Sequence, residues 1–175
     1  MPVAAARMRE LFGSLELSLA NLRQGWPRSW PGVDLVLQRC WHRLGIAVHA
    51  QSERTARVLA WSLSVAQAVE QDGRRQRRQQ QELAYHNRLH IADTLVCMTH
   101  LLLASRQVAA AGPDTTHREA LCLAIMAGHD FRHPGGSNAF PGQFETLAVE
   151  ALRPLMREAR LHADDQATVE QCILL

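Results

Sequence analysis

Apolar side chains recur every three or four residues through most of this chain, which is the spacing of one face of an α-helix. In the first predicted helix, residues 1–24, the repeat consists of Leu11, Leu15, Leu19 and Leu22. Glycine and proline residues separate one periodic segment from the next. No segment alternates apolar and polar residues between turn signals, as a half-buried strand would. The periodicity therefore predicts an all-α fold, a multi-helix bundle.

The bounds of the helices follow from these segments and from capping signals. Ser52 is a predicted N-cap, and the pair Asp72-Gly73 is predicted to end the third helix. Thr116 with Glu119 forms a predicted capping box, and Asp164 or Asp165 is predicted to cap the last helix. The other predicted helices cover residues 1–24, 34–42, 52–71, 83–106, 116–129 and 143–161.

Composition narrows the class of protein. The chain has 175 residues, 47% hydrophobic and 21% charged, which suits one globular domain. Residues 1–82 form its N-terminal helical segment, and residues 83–175 carry the histidine motifs. The net charge of +2 is too small to indicate nucleic acid, and the apolar stretch 120–128 is shorter than the ~20 residues of a membrane span. Scattered cysteines are typical of a reducing compartment. We therefore expect a cytoplasmic protein with no nucleic-acid or membrane partner.

A run of arginine and glutamine, RRQRRQQQ at residues 74–81, follows the predicted end of the third helix. Such a run usually forms a solvated face of the molecule. The alternative is a patch that binds phosphate or a partner, and the sequence leaves both interpretations open.

Two histidines lie four residues apart in the fourth predicted helix. On a helix, the imidazoles of His86 and His90 would project from one face, a turn apart. The two can share one metal ion, or one can bind the metal while the other transfers protons. The spacing alone is equally typical of an ordinary helix surface.

His129 and Asp130 stand together at the end of an apolar predicted helix. An imidazole and a carboxylate suit divalent zinc, manganese or iron. Without a cation, the Asp130 carboxylate would face the negative end of the helix. His133 follows in a tight proline–glycine loop, which predicts that it lies near His129 and orients water or supports the ligands. The alternative is a loop histidine in solvent.

Together these segments resemble two signatures of the class I cyclic-nucleotide phosphodiesterases, which belong to the His-Asp metal-dependent phosphohydrolase superfamily. YHNRLHIAD at 85–93 is similar to the signature Y-H-N-x-x-H-A-A-D, and HDFRHPGGSN at 129–138 is similar to H-D-x-x-H-P-G-x-S-N. The two segments follow the family's order, about forty residues apart. The resemblance covers residues 83–175 and implies a helical bundle of the HD/phosphodiesterase type.

The resemblance also implies roles for individual residues. His90, His129 and Asp130 would be metal ligands, with Asp130 bridging Zn²⁺ and a second ion, Mg²⁺ or Mn²⁺. His86 would be the general acid that protonates the leaving O3′ oxygen. The residues that support the ligands or orient water would be His133, Asn87 and Glu145.

The implied activity is hydrolysis of a small-molecule substrate, a 3′,5′-cyclic nucleotide, to the 5′-monophosphate through a metal-bridged hydroxide. Three alternatives remain open: a phosphohydrolase acting on another nucleotide or phosphoester, a metal-binding but inactive regulatory domain, and a purely structural helical module. Two departures from the family bear on them. Arg132 stands where the family usually has an aspartate. The family's fourth ligand, in an H-x-A-D segment, and its base-binding residues have no counterpart, and neither Asp164 nor Asp165 matches that ligand.

The last predicted helix carries an apolar stripe formed by Val169, Cys172, Ile173 and Leu174. It ends without a capping glycine or a basic last turn, which predicts a bundle that is incomplete at its C-terminus. We expect the stripe to be covered by one of three routes, because exposed apolar patches attract partners. The routes are a homodimer through the C-terminal helix, aggregation, or packing against the helix that begins at Gln143.

Overall fold

A computed structural model describes residues 2–46, 52–108, 112 and 114–175. All regular secondary structure in these residues is helical, so the predicted all-α fold is confirmed. The helices are α1 (Pro2–Gly25), α2 (Val33–Leu44), α3 (Glu53–Arg78), α4 (Arg88–Val108), α5 (Thr115–Gly128), α6 (Gln143–Glu158) and α7 (Ala163–Leu174). Within those ranges, no helix is both long enough and apolar enough to cross a membrane.

Helices α3 and α5 form the centre of the bundle and pack along each other. Helices α2 and α4 cover one side of this pair, and α1 packs on α4. On the other side α6 contacts α3, and α7 packs on both α5 and α6. The α3 residues that face the core recur at helical spacing, and they are Val58, Trp61, Val65 and Val69.

Close packing at the end of α5 fixes the place where the His129-Asp130 segment begins. A β-carbon at Gly128 would lie 3.0 Å from Cδ1 of Leu152 on α6 and 3.3 Å from Cγ1 of Val65 on α3. The absence of a side chain at Gly128 therefore lets three helices meet just before the two motif residues.

The sequence predicts that helix α3 ends at Asp72-Gly73. This prediction is wrong, because the helix continues to Arg78. A β-carbon at Gly73 would lie 2.5 Å from Cδ of Arg88. The glycine thus serves as a space for the Arg88 side chain, and this packing offsets the cost of about 1 kcal/mol that glycine adds inside a helix.

Helix α4 begins at Arg88 and not at Leu83, so the prediction that His86 and His90 share one helix face is wrong. The reason is Asn87, whose Oδ1 accepts a hydrogen bond from the backbone N–H of His90 at 3.1 Å, as an N-cap residue does. The amide nitrogen of Asn87 donates to the carbonyls of Leu83 at 2.9 Å and Ala84 at 3.0 Å. His86 therefore lies in the turn that precedes α4.

The predicted capping box at the start of α5 is also wrong. The N-cap residue is Asp114, and its side chain makes no capping hydrogen bond. Glu119 is buried and accepts a hydrogen bond from Nε of Arg106 at 2.6 Å. The free-energy cost of a buried carboxylate without a cationic partner is larger than that of a helix end without a side-chain cap, so Glu119 pairs with Arg106.

Of the two other predicted N-caps, the one for α3 is confirmed and the one for α7 is not. Oγ of Ser52 accepts a hydrogen bond from the Thr55 N–H at 3.1 Å, which confirms the predicted N-cap of α3. For α7 the capping group is Nδ1 of His162, which accepts from the Asp164 N–H at 3.3 Å. Asp164 and Asp165 lie in the first turn of α7, so the prediction that one of them caps this helix is wrong.

The C-terminal stripe is covered in part by the bundle itself. Val169 and Ile173 are buried where α7 packs against α5 and α6. Cys172 is exposed, and Leu174 is 45% exposed. Packing against the helix that begins at Gln143 thus accounts for two of the four stripe residues, and the homodimer stays a prediction.

Candidate metal centre

Three parts of the chain converge on the carboxylate of Asp130. The turn before α4 contributes His86, the first turn of α4 contributes His90, and the end of α5 contributes His129 and Asp130 itself. The Phe131 N–H donates to the carbonyl of Gly128 at 2.9 Å, which turns the chain directly after α5. This turn brings the two consecutive side chains of His129 and Asp130 to one point.

One oxygen of Asp130 contacts three imidazole nitrogens. Oδ2 lies 2.9 Å from Nδ1 of His86, 3.0 Å from Nε2 of His90 and 3.1 Å from Nε2 of His129. The potential ligand atoms of His86, His90 and Asp130 all lie within 4.8 Å of one another. Imidazole nitrogens and a carboxylate oxygen are the ligands that zinc and related divalent ions prefer, so this donor set fits a metal ion.

The tautomer of His129 is fixed by the backbone. Its Nδ1 lies 3.0 Å from the carbonyl oxygen of Met126. Because a carbonyl only accepts hydrogen bonds, Nδ1 carries the proton. In the neutral ring Nε2 then presents a lone pair to the Asp130 oxygen, 3.1 Å away. An N–H to carbonyl anchor of this kind is common in metal-binding histidines.

The charges of the site perturb its ionisation. Burial raises the pKa of Asp130, but hydrogen bonds from His129, His90 and His86 outweigh it and hold the pKa of this carboxyl well below its usual range. Burial lowers the pKa of His129, yet the hydrogen bond and charge of Asp130 outweigh this effect and raise the pKa of the imidazole. The site therefore keeps an ionised carboxylate and attracts positive charge.

His133 lies beside His86. The two rings stack with their centroids 3.7 Å apart and their planes 17° apart. Nδ1 of His133 accepts a hydrogen bond from the Gly135 N–H at 3.0 Å, so its proton sits on Nε2 when the ring is neutral. Burial, followed by the nearby His86, lowers the pKa of His133 and favours that neutral ring. His133 thus holds the face of His86 and keeps one N–H available as a donor.

The two remaining residues that the sequence proposed as supports have different surroundings. Glu145 accepts a hydrogen bond from Nδ2 of Asn138 at 3.2 Å, and its negative charge acts on His133. Asn87 uses both polar atoms of its side chain to cap α4 and to hold the turn before it. The observed effect of Asn87 is to position His86 and His90.

A buried cluster of charged residues, which the sequence did not predict, fixes Arg88 directly after the turn that carries His86. Both Arg88 and Glu70 are buried, and Nη1 of Arg88 donates to Oε1 of Glu70 at 2.7 Å. Nε and Nη2 of Arg88 donate to Glu82 at 2.7 and 3.0 Å. Oε2 of Glu70 accepts from the indole N–H of Trp30 at 2.8 Å and from the Val33 N–H at 3.1 Å. No short-range pattern connects all of these residues, because two of the bonded partners, Trp30 and Glu70, are 40 positions apart.

Tyr85 is a second residue without an assigned role in the sequence prediction. Its ring centroid lies 4.8 Å from that of His86 and 4.5 Å from that of His90, although the side chain is 64% exposed. Its place in the first motif was the available signal. The exposed ring forms part of the rim of the site.

A groove of about 450 Å³ opens beside His133. Its walls include Arg75, Gln76 and Arg132, together with Asp72. Asp72 accepts hydrogen bonds from Arg75 and Gln76 and is thereby neutralised. Arg132 is exposed and has no ion-pair partner among the residues that the structure describes. The groove next to the metal-ligand cluster therefore presents a net positive charge.

No family model matches the chain, and no solved structure matches it. The likeness to the phosphodiesterases therefore stays a prediction that rests on the two motifs. The convergence of His86, His90, His129 and Asp130 is a property of the structure and does not depend on that likeness.

Proposed function

We propose that this chain is a metal-dependent phosphohydrolase whose cation is held by His90, His129 and Asp130, and that it hydrolyses a 3′,5′-cyclic nucleotide to the 5′-monophosphate. The expected cations are Zn²⁺ together with Mg²⁺ or Mn²⁺. The resemblance of the two motifs supports the choice of substrate, and the geometry around Asp130 supports the choice of a metal.

One observation carries the proposal: Nε2 of His129 and Oδ2 of Asp130 face each other while Nδ1 of His129 is committed to the Met126 carbonyl. Two acceptors at 3.1 Å repel unless a positive charge lies between them. Either a proton on Nε2 of His129, which the raised pKa of this ring favours, or a metal ion supplies that positive charge. A divalent cation satisfies the same lone pairs without this repulsion.

A bound divalent cation supplies Lewis-acid chemistry, because it lowers the pKa of water and offsets negative charge on phosphoryl oxygens. The protein supplies the rest. The ionised Asp130 and the neutral His133 are both set by their surroundings, and the Nε2–H of His133 is free to orient an oxygen. His86, stacked on His133, is placed to give a proton to a leaving oxygen.

His86 has a second candidate role, which an experiment separates from the first. Its Nδ1 is as close to Oδ2 of Asp130 as the nitrogens of His90 and His129 are. His86 is therefore a candidate for the fourth metal ligand, which the family takes from an H-x-A-D segment that has no counterpart in this sequence. As a ligand, His86 would leave proton donation to another group.

A second candidate substrate is a phosphoester with a further anionic group, such as a linear nucleotide. The observation that favours it is the groove beside His133, where Arg132 has no ion-pair partner in the described part of the chain. A guanidinium at that position suits an additional phosphate, because arginine binds phosphate oxygens through two parallel N–H groups.

The test is hydrolysis of bis-para-nitrophenyl phosphate by the purified chain with Mn²⁺, Zn²⁺ or Mg²⁺, followed by a panel of cyclic and linear nucleotides. We expect hydrolysis that requires the cation and stops with a chelator. His129→Ala and Asp130→Ala should lose both the bound metal and the activity. His42→Ala, an exposed histidine on α2, is the matched control and should keep both.

His86→Ala distinguishes the two roles of that residue. As the proton donor, His86 is worth a factor of about 10²–10⁴ in turnover, and the variant keeps its metal. Equal loss of metal in His86→Ala and His129→Ala assigns His86 as a ligand. A chain that binds the cation but hydrolyses none of these esters is the inactive regulatory domain, and an Asp130→Ala variant with full activity refutes the metal-centre proposal.

A further inference from the structure

A second cavity, open to solvent on one side, lies away from the metal centre and is lined mainly by α1, α2 and α4. Helices α1 and α2 each pack on α4, and the cavity occupies the space between them. Its volume is about 570 Å³, which is within the range of about 300–1,000 Å³ typical of small-molecule sites. None of the metal-centre residues lines it.

The walls of this cavity combine an apolar body with a basic edge. Leu22, Val36 and Val96 supply apolar surface from the three helices. Arg39 and Arg43, one turn apart on α2, supply two guanidinium groups, and none of the described residues that line the cavity is an aspartate or a glutamate. A site of this composition suits a molecule with an apolar part and a negative charge.

The charges on α2 are available to a ligand. Nη2 of Arg43 donates to the neutral hydroxyl of Ser14 at 2.7 Å, and Arg43 forms no ion pair with the residues that the structure describes. Arg39 is exposed and forms no ion pair with any residue in the described part of the chain. Two uncompensated guanidinium groups at i and i+4 repel each other mildly, and an anion between them removes that repulsion.

His100, one of the residues that line the cavity, has a ring nitrogen without a hydrogen-bond partner in the described residues. His100 is 5% exposed, and its Nδ1 donates to the Val96 carbonyl at 2.9 Å. Its Nε2 is buried and has no hydrogen-bond partner in the described residues. A buried polar atom without a partner costs about 1–3 kcal/mol, so such atoms are uncommon unless a site uses them.

We propose that this cavity binds a small organic anion with an apolar body, the anionic group lying against Arg39 and Arg43 and the body lying among Leu22, Val36 and Val96. The cavity is separate from the centre at Asp130, so this proposal holds whether or not the chain is a phosphohydrolase. Both sites touch α4, which carries His90 in its first turn and Val96 and His100 further along.

The probe is the fluorescent anion anilinonaphthalene sulfonate, which combines an aromatic body with one negative charge. It is added to the full chain after metal ions have been removed with a chelator. We expect saturable binding with a fluorescence increase. Octanoate should displace the dye, whereas octanol, which lacks the charge, and inorganic phosphate, which lacks the body, should not. Displacement by octanol as effective as displacement by octanoate would contradict recognition of the anion.

Two variants locate the binding. Arg39→Glu should weaken the affinity for the dye by about tenfold or more, because it reverses a charge at the edge of the cavity. Arg157→Glu reverses an exposed arginine on α6 that has no ion pair among the described residues, and it should leave the affinity unchanged. Equal effects of the two variants would overturn the proposal.

Val96→Trp should abolish dye binding by filling the cavity, with helix content checked by circular dichroism. If the variant retains its helices and still binds the dye with the parent affinity, the dye lies elsewhere and the cavity assignment is wrong. If Val96→Trp does not fold, the comparison of Arg39→Glu with Arg157→Glu decides the question, since both positions are exposed.

Discussion

Asp165 pairs with His117 and Asp130 pairs with His129, and the two pairs differ in the other groups that contact each carboxylate. At the junction of α3, α5 and α7, Nε2 of His117 lies 3.0 Å from Oδ1 of Asp165, and Arg54 donates to the same carboxylate from Nε at 2.9 Å. At the end of α5, Asp130 contacts imidazoles but no lysine or arginine among the described residues. One carboxylate has a permanent cation, and the other has none.

The second ring nitrogen of each histidine sharpens the difference. Nδ1 of His117 lies 3.2 Å from the hydroxyl of Thr55, which can donate or accept a proton and so adapts to either tautomer. Nδ1 of His129 faces the Met126 carbonyl, which can only accept. The first pair satisfies itself. The second pair is satisfied only when a proton or a metal ion lies between Nε2 of His129 and Asp130, and this property makes it a candidate metal centre.

The buried cluster around Arg88 extends the comparison to a third carboxylate, and here we expect the largest effect on stability. Arg88→Met would leave the buried Glu70 with the exposed Arg74 as its cationic partner in the described residues, and breaking a buried ion pair costs about 3–5 kcal/mol. Urea denaturation measures the loss, which should be equal with and without added cation, because this cluster has its own positive charge.

Arg77→Met is the matched control, because Arg77 is exposed and has no ion pair in the described residues. It should change the free energy of unfolding by less than about 0.5 kcal/mol. If Arg88→Met is as mild as Arg77→Met, the cluster does not hold the turn before α4.

These contacts also explain what the sequence could and could not predict. The all-α fold and the convergence of His90, His129 and Asp130 follow from helical periodicity and from two short motifs. The place of His86 does not, because its turn depends on the Asn87 cap and on Arg88, whose partner Glu70 lies 18 positions away. Gly73 shows the same limit, since a residue that ends helices in local terms lies within α3 to make room for Arg88.

Asp165 should give a smaller effect with a clear pH dependence. Burial raises the pKa of Asp165, but hydrogen bonds from Arg54 and His117 outweigh it and lower the pKa below its ordinary value of 3.8. A carboxyl with a lowered folded-state pKa stabilises the protein above its unfolded pKa, and this contribution disappears as the pH falls through the folded pKa. Asp165→Asn should therefore cost about 2 kcal/mol at neutral pH and progressively less in acid.

The neighbouring Asp164→Asn is the control for that experiment, because the Asp164 side chain is 74% exposed. Its free energy of unfolding should follow the parent within about 0.5 kcal/mol at each pH. A loss in Asp165→Asn that stayed constant down to strongly acidic pH would mean that packing, and not charge, explains the contribution of Asp165.

Asp130→Asn should give the smallest change and the one that separates the two histidine–aspartate pairs. The pKa of His129 is raised in the folded protein, so its pair with Asp130 stabilises the cation-free chain below the unfolded pKa and loses this effect as the pH rises through the folded pKa. At alkaline pH with a chelator, the neutral His129 and the ionised Asp130 then present two acceptors to each other. An asparagine amide can donate to that imidazole nitrogen, so the variant should be about 1 kcal/mol more stable than the parent there and less stable at mildly acidic pH.

Added Mn²⁺ or Zn²⁺ should raise the melting temperature of the parent and leave that of the variant unchanged. Asp165→Asn, which removes a carboxylate that already has Arg54, should be destabilising at alkaline pH, with or without the cation. If Asp130→Asn is also destabilising there, the Asp130 contacts are ordinary hydrogen bonds, and the end of α5 does not require a cation.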